Sequence, residues 1–231
     1  SEWADSKQLT FHIQRYPGVN LELDYAGKQL YLHNSRNPEE TTKVTIFIAA
    51  LTYSDYFYAE GMTECDIRNW IRVNNNALAY FGGVTPTVTP DNCKVAVARN
   101  KDWISPVLNK DFQAWAEHNN TVLTPAKVKS PRWKPVVEGH VKLVTMHILM
   151  DMEDMVFYSL DDLNRVLMEK VAAENRKPFE GLSYSRYDLF TTEEKETLLP
   201  LPPNRFEYLE RKTVKVAQDF SFTFDKVHYS M

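Results

Sequence analysis

One run of residues limits the architecture more than any other. KVTIFIAALTY, residues 43–53, is apolar and rich in β-branched side chains along nearly its whole length. Such a strand is long enough, and apolar enough, to sit in the middle of a sheet with cover on both faces. The stretch before it behaves differently. In LELDYAGK, residues 21–28, Leu21, Leu23 and Tyr25 fall on one face of a strand and Glu22, Asp24 and Ala26 on the other. A carboxylate in mid-strand, close to a small residue and a glycine, is an odd choice for a core strand. KQLYLH (28–33) reads as the hairpin partner of this strand and YFYAE (56–60) as a further strand, giving an antiparallel meander.

Helical periodicity then takes over. Thr63 and Asp66 are spaced as a capping box, and Ile67, Trp70, Ile71, Leu78 and Phe81 recur at helical spacing before Gly82-Gly83 ends the helix. VTPTVTP (84–90) is a short strand punctuated by prolines, PVLNKDFQAWAEH (106–118) a second helix, and TVLTPAKV (121–128) another strand. SPRWKP (130–135) opens a long helix running to about Met150, with Val137, Val141, Val144 and Ile148 as its core stripe. The order is three strands, then helix, strand, helix, strand, helix. That is the order of an α/β, ribonuclease-H-like fold: a mixed sheet flanked by helices.

The texture changes after Ser159. Residues 159–177 form an amphipathic helix with Leu160, Leu163, Leu167 and Val171 on its apolar face. Residues 178–204 are irregular and Pro-rich, with a helical patch near 192–198, and LLPLPPN (198–204) reads as a linker. From Arg205 alternation returns in short strands, which suggests a small β-barrel-like module. The expected organisation is therefore a lead-in (1–19), a catalytic-type core (20–155), a helical extension and linker (156–204) and a small β module (205–231).

Composition narrows the function classes. The 231 residues contain no apolar run long enough to span a membrane. The chain opens SEWADSKQ, without an initiator Met or a leader, and so reads as a piece of a longer cytoplasmic protein. Two cysteines, Cys65 and Cys93, make neither a disulfide framework nor a zinc site. Net charge is −4, but residues 91–150 carry nine Lys/Arg against five Asp/Glu, leaving 18 basic and 26 acidic residues for the rest. A locally basic middle on an acidic background is what a single DNA-facing surface would leave.

Three carboxylates stand at places where they could converge. Asp24 is in mid-strand. Asp91 lies just past the proline-flanked strand, where strand ends open on a shared crevice. Glu138 lies off the core stripe of the following helix, with Lys134 and Lys142 one turn either side. Together they offer the all-oxygen ligand set that Mg²⁺ accepts, and a pair of such ions serves phosphodiester chemistry. Taken singly, the three also read as a solvated strand residue, a turn former and a surface ion pair, and spacing alone does not choose.

The chain resembles the IstA-type transposases of bacterial insertion sequences, part of the wider retroviral-integrase-like DDE group. The matching stretches include PGVNLELDYAGK (17–28), FIAALTYSDYFYAE (47–60), LAYFGGV (78–84), PDNCKVAV (90–97), LTPAKVKSPRWKPVVEGHV (123–141), FYSLDDLN (157–164), SRYDLF (185–190) and VHYS (227–230), in the family's order. The resemblance implies that Asp24, Asp91 and Glu138 are the catalytic triad and hold Mg²⁺ or Mn²⁺. It implies hydrolytic cleavage at transposon ends, then attack of the freed 3′-hydroxyl on target DNA. It also implies multimeric action on paired ends, DNA-binding domains upstream, and an IstB-type ATPase partner. Lys94, Lys127, Lys129, Arg132, Lys134 and Lys142 are then candidate phosphate contacts. His140 and His147 are read as surface or packed residues. Trp133 and Pro135 depart from the family's pattern, and Trp133 is read either as stacking on DNA or as packing under its loop. Two rival readings remain: a nuclease of the same fold that cuts without joining, and a catalytically silent assembly module that binds DNA or a partner.

Overall fold

The computed structural model describes residues 15–37, 39–90, 95–96, 103–124, 140–210, 221–224 and 227–230. The central run forms β3 (Thr41–Leu51), and Val44, Ile46, Phe47 and Ala49 on it are fully buried. Its neighbours are β1 (Asn20–Tyr25), β2 (Leu30–His33) and β4 (Phe57–Met62), all antiparallel to it. β5 (Thr87–Pro90) pairs parallel to β1, and β8 (Val122–Leu123) parallel to β5. Two further pairs stand apart, β6 (Val95–Ala96) with β7 (Trp103–Ile104), and β9 (Ser221–Phe224) with β10 (Val227–Ser230). The helices are α1 (Ile67–Phe81), α2 (Lys110–His118), α3 (His140–Asp151), α4 (Leu160–Arg176) and the short α5 (Arg186–Leu189).

The hairpin expected between β1 and β2 is not formed. β2 pairs with β3 instead, and so does β1, in the same antiparallel sense. Tyr25 lies opposite Phe47 and Leu30 opposite Val44, so Ala26 to Gln29 intervene on one side where only Thr45 and Ile46 intervene on the other. Two extra residues make a bulge, and the Ala26 N–H still reaches the Ile46 carbonyl at 2.9 Å. The segment from Asn20 to His33 is thus one long, interrupted strand. Gly27 sits in the bulge.

Two apolar layers close on the sheet. Leu21, Leu23, Phe47, Ala49 and Leu51 face α1 and α2 through Trp70, Phe81, Phe112 and Trp115. Val44, Ile46, Phe57 and Ala59 face α3 and α4 through Ile148, Leu149, Leu163, Leu167 and Val171. Asp66, rather than Thr63, caps α1: its carboxylate accepts from the Asn69 N–H at 2.8 Å. The helix ends at Gly82, whose φ of 73° suits glycine. The 106–118 helix is divided, because the Asn109 side chain accepts from the Asp111 and Phe112 N–H groups and starts α2 after a 3₁₀ turn over Pro106–Leu108.

Helix α4 also closes a sheet edge. The Gly61 N–H donates to Asn164 Oδ1 at 2.6 Å and Asn164 Nδ2 donates to the Gly61 carbonyl at 3.2 Å. Asn175 repeats the pattern on Phe57, at 3.3 and 2.8 Å. Eleven residues are about three helical turns, so both amides lie on one face of α4 and act as a neighbouring strand would. Gly61 permits the approach: a Cβ there would lie 2.8 Å from Val44 and 3.0 Å from Asn164 Oδ1.

After α5 the chain tightens through a π turn (Phe190–Glu194) and a 3₁₀ turn (Lys195–Thr197). Leu199 then exchanges two backbone hydrogen bonds with Val84, at 2.8 and 2.9 Å. The fully buried Glu194 accepts from the Gly18 N–H at 3.0 Å and the Ser54 N–H at 3.3 Å. Burial raises its pKa above the ordinary glutamate value, outweighing the bonds that favour the carboxylate. At the C-terminus the described strands are β9 and β10 as an antiparallel pair; Phe206 and Tyr208 pack on the α1–α2 layer without joining a ladder, and a barrel is not seen among the described residues.

Two predictions follow from these contacts. Asn175→Ala strands the Phe57 N–H and carbonyl and costs about 2 kcal/mol in urea unfolding with an unchanged m-value; a loss below about 0.5 kcal/mol would refute the edge closure. For Glu194 the folded state binds a proton where the unfolded state does not, so its contribution to stability falls as pH rises from about 4.5 through its folded pKa. The stability of Glu194→Gln relative to wild type should therefore improve between pH 4.5 and 7; a pH-independent difference would contradict the assignment.

Candidate active site

The site is built from the polar face of β1. Leu21 and Leu23 go into the core, so Asn20, Glu22 and Asp24 share the opposite face, each half-buried. Asp24 lies opposite Ile48 on β3, and its Oδ1 accepts from the Tyr25 N–H at 2.8 Å. Tyr25 is anchored edge-on to Trp70, with ring centroids 5.4 Å apart. The bulge begins at the next residue. Lys28, inside it, pairs with Glu153 beyond the end of α3.

β5 brings the second region alongside. The parallel register runs from Asn20 opposite Thr87 to Leu23 opposite Pro90. β5 and β8 continue it, with Val88 opposite Leu123. The C-terminal ends of β1, β5 and β8 therefore point the same way, as at the ligand crevice of open α/β sheets.

Of the three carboxylates, Asp24 is among the described residues. Asp91 and Glu138 lie outside them, as do Lys94, Lys127, Lys129, Arg132, Trp133 and Lys134. Lys142 lies on α3, and its side chain is likewise outside the description. His147 is exposed on α3. Among the described residues no group of three His, Cys, Asp or Glu side chains is placed to hold a metal ion.

A further set of side chains was not visible in the sequence. Asn20 Oδ1 accepts from the Thr87 and Thr89 hydroxyls at 2.9 and 3.0 Å, and Thr89 Oγ1 lies 2.7 Å from Thr124 Oγ1. Three strands are joined by one polar chain. The alternation in TPTVTP marks Thr87 and Thr89 as sharing a face. Nothing local reveals that Asn20 and Thr124 stand beside them.

This sheet order, with its flanking helices, is that of a ribonuclease-H-like fold. A chain of a simian T-cell lymphotropic virus intasome shares it, with a TM-score of 0.56 at 15% identity over 94% of this chain and 67% of that one. No protein-family profile matches. Curated sequences do. "Putative transposase y4bL/y4kJ/y4tB" of Sinorhizobium fredii is 33% identical over 223 residues, 96% of this chain and 43% of that protein. "Putative transposase for insertion sequence IS1162" of Pseudomonas fluorescens is 32% identical over 232 residues, 99% of this chain and 40% of that protein. The transposase for insertion sequence element IS21 of Pseudomonas aeruginosa is 26% identical over 86% of this chain and 49% of that protein. The chain is similar over most of its length to curated insertion-sequence transposases, and it spans less than half the length of these relatives.

Adjacent residues on β1 should separate stability from function. Leu23→Ala empties a fully buried position and costs about 3 kcal/mol, whereas Asp24→Asn changes unfolding free energy by less than about 1 kcal/mol. Equal costs in thermal or urea unfolding would contradict the division of β1 into a core face and a site face.

Proposed function

We propose that this chain is the catalytic core of a DDE-type polynucleotidyl transferase that cleaves transposon ends and joins the freed 3′-hydroxyl to target DNA. One observation carries the reading furthest. Leu23 and Pro90 are register partners on parallel strands, so Asp24 and Asp91 are the next residues of two adjacent chains. Neighbouring strands are about 4.8 Å apart and successive Cα atoms 3.8 Å, a spacing that supports reading the two carboxylates as ligands of a common metal centre. Asp24 is the next-to-last residue of β1, and Glu138 comes two residues before α3 in the sequence; both support the same reading.

Asp24, Asp91 and Glu138 form an all-carboxylate donor set, which suits the hard cations Mg²⁺ and Mn²⁺. When bound, such ions lower the pKa of a nucleophilic water or hydroxyl and neutralise charge on the phosphoryl oxygens. The chain's own part is to hold its carboxylates on rigid strands and to fix the DNA backbone. Lys134 and Lys142 beside Glu138, and Lys94 beyond Asp91, would neutralise phosphates near the reacting bond. Lys127, Lys129 and Arg132 would continue the track along the duplex. The full protein would act as a homo-oligomer on paired ends in the bacterial cytoplasm, with an IstB-type ATPase for target choice. No helix among the described residues is long and apolar enough to cross a membrane.

The test is strand transfer run in reverse, on a branched DNA that mimics the joined product, with Mn²⁺. Wild type should resolve the branch, and Asp24→Asn, Asp91→Asn and Glu138→Gln should each lower the rate by about a hundredfold or more. Cutting without rejoining would favour a nuclease. No metal-dependent product from folded protein would favour the assembly module.

A further inference from the structure

The segment after the 3₁₀ turn at Lys195–Thr197 lies along α1 as an extended strap. It starts where Leu199 exchanges backbone bonds with Val84, just past the end of α1. From there it runs back antiparallel to the helix, and the Tyr208 ring comes to lie 5.9 Å from the guanidinium of Arg68, in the first turn. Phe206 and Tyr208 are half-buried on the α1–α2 layer, whereas Arg205, Glu207 and Leu209 are exposed. Such two-residue alternation is that of an extended peptide laid on a surface.

The helix face below is shaped to receive it. Arg68, Arg72, Asn75 and Asn76 share one side of α1 by helical spacing. Asn75 is only 8% exposed; its Oδ1 accepts from Trp115 Nε1 at 2.8 Å, and its Nδ2 donates to the Phe206 carbonyl at 2.9 Å. Asn76 Nδ2 donates to the buried Glu60 carboxylate at 2.8 Å, and its Oδ1 accepts from Arg205 Nη2 at 2.6 Å. Glu60 is held in turn by Arg72 and by the Tyr58 hydroxyl, at 2.6 Å from the latter. The Arg72 carbonyl accepts a further bond from Arg205 at 3.2 Å. On α2, His118 Nε2 donates to the Asn204 carbonyl at 2.8 Å, and its ring meets Phe206 edge-on at 5.5 Å. Each asparagine amide thus has one end fixed by a buried group and the other turned to the strap. Asn75 and His118 read backbone carbonyls, and Asn76 reads the guanidinium of Arg205.

We propose that the α1–α2 face is a peptide-binding site whose ligand is the extended segment Asn204–Tyr208, held as a detachable latch on a core that folds without it. Pro200, Pro202 and Pro203 precede the ligand. Their fixed φ lowers the entropy lost on docking, so a few hydrogen bonds and two aromatic rings suffice to hold the latch. The stretch that reads as a linker in the sequence leads into a recognition motif, Asn-Arg-Phe-x-Tyr. The proposal uses no residue of the proposed metal centre and stands apart from that reading.

The test is binding in trans. The 231-residue chain carrying Arg205→Ala and Phe206→Ala is titrated with a synthetic peptide of residues 203–210, and the side-chain amide resonances of Asn75 and Asn76 are followed by NMR. A short tether supplies an effective concentration of about the millimolar order, so millimolar peptide matches what the chain provides in cis. The peptide should return both amides toward their wild-type shifts and saturate. A peptide carrying Arg205→Ala should bind about tenfold more weakly, through loss of a charge-assisted hydrogen bond. No shift at millimolar peptide, or equal binding of a scrambled peptide, would overturn the proposal. Failure of the double variant to fold would overturn it too, because the strap would then be an integral part of the core.

Discussion

The register between β1 and β3 is the constraint on which the site depends. Side chains alternate along a strand, so a slip of one residue would turn Asp24 into the core and Leu23 out of it. Leu23 is fully buried, and Phe47 and Trp70 lie in the same layer, with ring centroids 5.4 Å apart. That apolar face fixes which side of β1 is polar. The bulge after Tyr25 then absorbs two residues, so that Leu30 returns to the core beside Val44 without disturbing the register at Asp24.

The rest of the molecule braces this strand from both directions. Asn164 and Asn175 on α4 satisfy backbone groups of β4, which leaves the sheet edge covered by a helix rather than open to another strand. At the opposite end of β1, Glu194 ties the turn at Gly18 and the loop at Ser54 to the segment that follows α5. Elements distant in sequence thus meet around the N-terminal approach to β1, while its C-terminal end stays beside β5, where ligands of α/β sheets bind.

Much of this was legible in the sequence because the signals were local. The unbroken apolar run at 43–53, the Leu-Glu-Leu-Asp-Tyr alternation and the Gly82 stop each predict an element that is present. The errors arose where partners are distant or competing. KQLYLH read as the hairpin partner of the preceding strand, yet both segments pair with β3 and the residues between them form a bulge. Thr63 and Asp66 both suit a helix start, and the better-placed carboxylate took the Asn69 N–H. The Asn20–Thr89–Thr124 chain depends on the parallel pairing of three strands, which no periodicity encodes. Asp24 stands out in the sequence because a carboxylate there conflicts with the apolar strand around it, and the structure places it half-buried on the polar face of β1.

The central claim is that Asp24, Asp91 and Glu138 hold a shared metal centre. The most direct measurement is a crystal structure of the protein soaked in Mn²⁺, with anomalous scattering to locate the ions. The account predicts anomalous peaks within about 2.5 Å of carboxylate oxygens from all three residues. Peaks elsewhere, with the three side chains on separate surfaces, would contradict it.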